Sequence, residues 1–317
     1  MQYQHIVIVG GLGYVGQNLI EHLAQRYRIT VFDSVSDFNS KPNTSKISKL
    51  LSVAIYSADP QKAYQKLLSD HVHDRPFLMI YAAGNDHLSQ VKEWFDLGVS
   101  LEIPNIFYLS SAAVYGEALY LPQDEMHPLC PLNQYGQEKI QGEQYLRLLQ
   151  NQGLLHSAMS FRLFNLYGNI LNDAIESQTA FQIVDFLFKQ AIHENRPKIT
   201  LSPHPTPDKS FIRDYLHIQD AILAIEQAIK HLNEMPRYHH INLGSGIGTS
   251  LLELTDKIEQ LCKVSFDTEL TNSPPLEASA SIAHVKSAQV LLDWQPTIDL
   301  NSGLFNHYQR HYCSNHD

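Results

Sequence analysis

The chain has little sulfur, no long apolar run and a shortage of positive charge. Three cysteines in 317 residues, Cys130, Cys262 and Cys313, stand far apart with no C-x-x-C spacing. That excludes a disulfide-stapled scaffold and fits a reducing compartment. No apolar stretch approaches the ~18 residues of a membrane span, and the first five residues offer no cationic lead-in to a secretion signal. Lys and Arg number 23 against 33 Asp and Glu, a formal charge of -10, so neither nucleic acid nor an anionic membrane is expected as a partner. An anionic ligand therefore needs a locally positive pocket. Repeats, low-complexity tracts and blocks of one charge sign are also missing. The expectation is a cytoplasmic protein acting on a small molecule.

What is present suffices for a large core. At ~150 residues per domain the length suggests one large or two modest domains. Short, apolar, partly β-branched runs at Ile6–Val9, Ile29–Phe32, Phe77–Tyr81 and Ile106–Leu109 read as buried parallel strands. Between the first two, Val15, Leu19, Ile20 and Leu23 keep helical spacing, so the chain opens with a βαβ unit. The expected fold class is α/β: a Rossmann-type doubly wound parallel sheet with a smaller mixed α/β C-terminal substrate domain. Further elements are a helix over about Asn133–Leu149 capped by Asn133, a strand at Ser157–Phe161, a helix at Asp220–Ile229 and a strand at Ile241–Leu243. The proline-rich Ser202–Asp208 reads as a crossing between two parts of the fold. The expected division is 1–168 with 211–245 as the cofactor domain, and 169–210 with 246–317 as the substrate domain.

Gly10, Gly13 and Gly16 in V-G-G-L-G-Y-V-G follow the first strand and precede the first helix. There they allow a tight turn, backbone approach to a pyrophosphate and close helix–strand packing, with helix amides facing the phosphates. Asp33 ends the second strand, where a carboxylate accepts from both ribose hydroxyls and repels a 2′-phosphate, and no Lys or Arg follows before Lys41. The cofactor expected is NAD rather than NADP. Asp59, after the third strand, could hydrogen-bond the adenine amine.

Tyr135 and Lys139 form Y-x-x-x-K on one helix face, and Ser110 and Ser111 stand at the C-terminal edge of a parallel strand, where open α/β sheets bind ligands. A tyrosine base near neutrality requires a shift of about three pKa units, or about 4 kcal/mol. One cation about 4 Å from the phenolate contributes about that much at an effective dielectric near 20. A lysine and a nicotinamide ring together suffice, and hydride transfer removes one of these two cations as the proton is taken.

The motifs L-S-S-A-A-V-Y-G around Ser111, Tyr135 with Lys139, R-L-F-N-L-Y-G from Arg162, F-I-R-D-Y-L-H-I-Q-D from Phe211, I-N-L-G-S-G from Ile241 and K-S-A-Q-V-L-L-D-W-Q-P from Lys286 lie in order along the chain. With the opening loop, they make it resemble the extended short-chain dehydrogenases/reductases, within them the NAD-dependent epimerase/dehydratase group. That resemblance implies that Tyr135 is the acid/base, that Lys139 holds the nicotinamide ribose and lowers the Tyr pKa, and that Ser111 bonds the reacting hydroxyl. It adds Tyr14, Val15, Ala82 and Ala83 to the cofactor contacts. Asn165 and Arg213 fall where the family binds a nucleotide-sugar diphosphate, the bland readings being a loop-capping amide and an ion pair with Asp214 or Asp220. Trp294 and Tyr115 read as packing residues. Seventeen histidines raise the question of a metal, but His71 and His73 are one residue apart and no H-E-x-x-H occurs, so none is expected.

Three features depart from the family. Ala112 and Ala113 follow Ser111 where the dehydratases carry an Asp-Glu pair, which favours an epimerase or a ketoreductase. The stretch from Ala83 to Ser110 is short for the helix through which members commonly pair, leaving a homodimer as one option. Tyr238–Gln309 contains no arginine, so the usual second phosphate ligand is missing; the alternatives are Lys263 or Lys286 as point-charge substitutes, or a substrate that lacks a nucleotide. The leading expectation is an NAD-dependent epimerase of a sugar, with a nucleotide sugar favoured, acting by transient oxidation to a keto intermediate and hydride return. The alternatives are an oxidoreductase with net redox turnover and a non-catalytic NAD-binding sensor.

Overall fold

A computed structural model describes residues 4–33, 53–57, 59–70, 75–84, 87–168, 183–194, 197–235, 237–271 and 277–313. Lys41, His71 and His73, named above, lie outside them. In chain order the first half runs β1 (His5–Val9), α1 (Tyr14–Leu23), β2 (Arg28–Asp33), β3 (Val53–Ser57), α2 (Pro60–Asp70), β4 (Leu78–Tyr81), α3 (Leu88–Ser100), β5 (Asn105–Ser111), α4 (Gln134–Asn151) and β6 (Ser157–Leu163). The second half runs β7 (Asn165–Tyr167), α5 (Ile183–His193), β8 (Lys198–Leu201), β9 (Ile212–His217), α6 (Ile218–Lys230), β10 (Tyr238–Leu243), β11 (Gly248–Ser250), α7 (Leu251–Cys262), β12 (Asp267–Leu270), β13 (Ala280–Ser281), α8 (Lys286–Leu292) and α9 (Leu300–Tyr308).

The chain forms two compact units. The first comprises Met1–Ser111, Gln137–Arg162 and Ile225–Ile241. Its sheet has seven strands in the order β10-β6-β5-β4-β1-β2-β3. The pairings from β5 to β3 are parallel. β1 lies between β2 and β4, so the winding direction reverses there and a crevice opens at the C-terminal strand ends. Alternation along the strands explains why both faces are apolar. Val7, Val9, Met79, Tyr81, Ile106 and Tyr108 pack with Leu67, Trp94, Phe95 and Leu146 of the crossover helices, while Ile8, Val31 and Ile20 converge around Gly11. The N-terminus of α4 is where the sequence places it, with Asn133 Oδ1 accepting from the Gly136 amide at 2.9 Å.

The second unit comprises Ala112–Gly136, Leu163–Ala224 and Asn242–Asp317. β9 is its spine: β11 joins it antiparallel, and β7 and β13 join it parallel. β8 and β12 form a separate parallel pair. Tyr167, Phe188, Ile199, Tyr215, Leu254 and Leu304 centre the core. The fully buried Asp214 gathers the glycine-rich turn after β10, accepting from the Ser245, Gly246 and Ala283 amides at 2.6, 2.9 and 3.0 Å. A Cβ on Gly244 would stand 2.5 Å from Asp214 Oδ2, which explains the glycine.

These units cut the chain differently from the expected division. Phe211–Ala224 falls in the second unit because β9 pairs with β7, β11 and β13 and not with the seven-stranded sheet. Ser202–Asp208 is no crossing: it lies within the second unit, where His204 N bonds Lys209 O and Lys209 N bonds Thr206 O. Trp294 and Tyr115 are buried as expected, with indole Nε1 donating to Asp220 O at 3.0 Å and the phenol to Asn242 Oδ1 at 2.5 Å. Among the described residues no helix is long and apolar enough to cross a membrane.

Within the first unit, the buried carboxylate Glu226 of α6 meets His22 Nε2 of α1 at 3.0 Å, Lys230 at 3.5 Å and the Arg26 guanidinium. Burial acts to raise its pKa, but the surrounding His22, Lys230 and Arg26 hold it below the ordinary value of 4.5. A lowered folded-state pKa gives stability that is complete above the unfolded value and lost as pH falls through the folded one. Glu226→Gln is therefore expected to cost about 1–2 kcal/mol in urea unfolding at pH 7, and the gap from the parent should close as the pH is taken towards 3.

Candidate active site

The glycine loop joins β1 to α1 and holds its shape for steric reasons. Gly10 has φ of 75°, and a Cβ there would stand 2.5 Å from the Ala83 amide nitrogen. A Cβ on Gly16 would stand 2.5 Å from Gly10 O, so loop and helix approach only without side chains. Gly13, the N-cap of α1, brings no side chain to cap the helix. Asp33, 6% exposed at the end of β2, accepts from the Leu12 amide at 2.8 Å through Oδ2 and so ties the loop to the second strand. Tyr14 and Val15 open α1, and Ala82, whose amide donates to Val9 O at 2.8 Å, begins the turn after β4 with Ala83. All of these converge at the switch point, in the arrangement that fits a dinucleotide pyrophosphate.

Asp59 sits beside β3 as expected but also caps α2. Its Oδ1 accepts from the Gln61 and Lys62 amides at 3.0 and 3.1 Å, and the Lys62 amide holds its carboxyl below the usual range. An adenine amine would have to use the other oxygen.

β5 ends at Ser110 and Ser111, and the two hydroxyls differ. Ser110 is buried and donates to Glu143 Oε1 at 2.6 Å, whereas Ser111 is half-buried at the sheet edge. Lys139 of α4 is 4% exposed. Its Nζ donates to Leu109 O at 2.9 Å and Ala83 O at 3.3 Å, and lies 4.8 Å from the centre of the Tyr108 ring. The ammonium is thus fixed at the C-terminal ends of β4 and β5, compensated by carbonyl dipoles and an aromatic face. Tyr135, 37% exposed, stands one turn earlier on the same helix.

The sequence reading missed what holds this helix. Glu143, one turn beyond Lys139, is buried and accepts from Arg162 of β6 through Nη2 at 2.7 Å and Nε at 3.0 Å, in addition to Ser110. Tyr135, Lys139 and Glu143 recur at four-residue intervals, and that stripe was the available signal. Its partner Arg162 is set by tertiary structure.

In the second unit, β7 and β9 place Asn165 opposite Tyr215, two positions from Arg213, so the two expected diphosphate residues lie on adjacent strands. Arg213 is buried and pairs with neither Asp214 nor Asp220. Its Nη2 donates to Glu277 Oε2 at 2.9 Å, and its guanidinium carbon lies 4.5 Å from the Phe211 ring centre. Asp214 serves the glycine turn, and Asp220 receives the Thr297 and Ile298 amides. Lys263 is the left-handed C-cap of α7 and Lys286 begins α8.

Comparison with known proteins adds relatives to this geometry. Residues 6–244 match the profile described as the NAD dependent epimerase/dehydratase family. The UDP-glucose 4-epimerase of Rhizobium meliloti is 26% identical over 95% of this chain and 94% of its own. That of Halalkalibacterium halodurans is 25% identical over 92% and 90%. The solved UDP-glucose-4-epimerase of Stenotrophomonas maltophila, with bound NAD and formylated UDP-arabinopyranose, superposes with a TM-score of 0.85 at 22% identity, covering 97% of this chain and 98% of that one. At that identity the likeness is one of fold.

Removing one member of a buried ion pair leaves the other uncompensated. Glu143→Ala should lower stability by about 3–5 kcal/mol in urea unfolding, while replacing Glu143 and Arg162 together by methionine should recover most of that loss.

Proposed function

The chain belongs to the NAD dependent epimerase/dehydratase family, and on that premise we propose that it is an NAD-dependent epimerase of a sugar carried on a nucleotide. When bound, NAD supplies the acceptor for the hydrogen removed from the sugar carbon and the donor that returns it to the other face. Asp33 receives the adenosine ribose, and the amides around Gly13 receive the pyrophosphate. Tyr135 takes the proton from the reacting hydroxyl at its phenol oxygen and gives it back after the keto sugar has turned. Ser111 holds that hydroxyl in line. Lys139, fixed by Leu109 O and Ala83 O, favours the phenolate by its charge and binds the nicotinamide ribose. Asn165 and Arg213 take the diphosphate, where a guanidinium fork matches phosphate geometry.

One observation carries the choice of isomerase over lyase: Ala112 and Ala113 follow Ser111 directly at the end of β5. Their methyl groups cannot move the protons that elimination of water requires. The relatives' activity as UDP-glucose 4-epimerases supports a uridine diphosphate sugar as the substrate class.

Incubation with a nucleotide-sugar panel should yield an epimer with no net change in reduced cofactor. Stoichiometric formation or loss of NADH would mark a net oxidoreductase instead. Tyr135→Phe should lower turnover by about 10²-fold or more and leave the NAD content of the purified protein unchanged. Full turnover in that variant would remove Tyr135 from the chemistry.

A further inference from the structure

The ion pair between Arg213 and Glu277 joins unequal partners. The arginine side chain is 8% exposed and the glutamate side chain 65%, so the cation belongs to a built site and the anion reaches it from solvent. Phe211, Arg213 and Tyr215 alternate along the β9 segment and share one face. His204 packs edge-on against Phe211, with ring centres 6.0 Å apart and planes at 89°. Phe211 thus lies against both the imidazole and the Arg213 guanidinium. Of the seven buried side-chain polar atoms without a hydrogen-bond partner among the described residues, two belong to this cluster: His204 Nδ1 and the Tyr215 hydroxyl, on residues 6% and 3% exposed. Buried polar atoms are normally satisfied, so a donor and a nitrogen left unpaired beside a buried guanidinium describe a receptor for an anion.

The charges at this site do not yet match the ligand. A nucleotide-sugar diphosphate carries two negative charges between pH 6 and 8, and Arg213 carries one positive charge, here matched by Glu277. Tyr238–Gln309 supplies no arginine. Burial and the neighbouring Arg213 push the His204 imidazole below its ordinary pKa, with Glu117 and Glu277 opposing. Of the other charged groups on its segment, Asp208 Oδ1 is taken by the Ser210 amide and hydroxyl at 2.9 Å each, and Lys209 is exposed.

We propose that His204 is the second positive charge of this anion site: neutral while Glu277 pairs with Arg213, it takes up a proton from solvent when a nucleotide-sugar diphosphate displaces Glu277. The inference rests on the nucleotide-sugar reading above and adds a residue that the family motifs do not supply. It makes binding proton-linked, tightening as pH falls through the raised pKa of the complex.

Calorimetric titration of UDP-glucose and dTDP-glucose into the NAD-loaded protein at pH 6 and pH 8, in buffers of different ionisation enthalpy, tests this. At least one sugar nucleotide should bind with net proton uptake and about tenfold more tightly at pH 6 than at pH 8. In His204→Gln the pH dependence should shrink to less than about twofold with no proton uptake. His204→Asn serves as a second neutral variant, and the parent's proton uptake is a readout that needs no variant. Binding without uptake, or an equal pH slope in parent and variant, overturns the role of His204 and leaves the nucleotide-sugar reading standing. If neither sugar nucleotide binds the parent protein at either pH, both fall.

Discussion

The buried carboxylate of Glu143 is the joint on which the candidate chemistry depends. It receives Arg162 from β6 and Ser110 from β5, and so fastens α4 to two strands of the sheet. Lys139 stands one turn away on that helix and reaches the ends of β4 and β5 through two carbonyl bonds. The helix therefore has polar attachments at consecutive turns, in addition to the apolar contacts of Leu146 and Leu149. A buried ion pair contributes little net stability, because desolvation offsets its attraction, but it is costly to break and so restricts the helix to one setting. A proton-transfer site needs that restriction, since small displacements of the reacting groups are expensive.

Among the described residues three buried cations are compensated in three different ways, within a chain of formal charge -10. Arg162 has a buried carboxylate and is permanently matched. Lys139 is faced by the Leu109 and Ala83 carbonyl dipoles and by the Tyr108 ring. Arg213 has an exposed carboxylate that an incoming anion can replace at modest cost, since a pair with one end in water is weak. The three charges differ in what faces them: a buried carboxylate, backbone dipoles with a ring, and a carboxylate open to solvent.

The dinucleotide loop was legible because each of its requirements is local. Gly10 and Gly16 are needed by backbone clearances within one βαβ unit, and Asp33 ends the strand that the unit creates. Tyr135 and Lys139 were legible as a helical pair because four residues make one turn, and Asn133 as a cap because capping spans three residues. For Arg213 the bland reading, an ion pair with Asp214 or Asp220, is not what forms: its guanidinium meets Glu277. β9 turns successive side chains to opposite faces and sends Asp214 to the Gly244–Gly246 turn, while Asp220 receives the Thr297 and Ile298 amides. The Phe211–Ala224 segment falls outside the expected cofactor domain because its strand pairs with β7, β11 and β13.

By itself the sequence determined the opening βαβ unit and the buried strands β4 and β5, the glycine turn, the acidic residue that ends the second strand and the i, i+4 pair on α4, since all arise from spacing along a few turns or one strand. Tertiary structure alone decided that Arg162 meets Glu143, that Glu277 covers Arg213 and that His204 stands beside Phe211 with an unpaired nitrogen. The first two contacts join residues 19 and 64 positions apart. No periodicity reaches across such distances; they are set by which strands pair and which faces they bury.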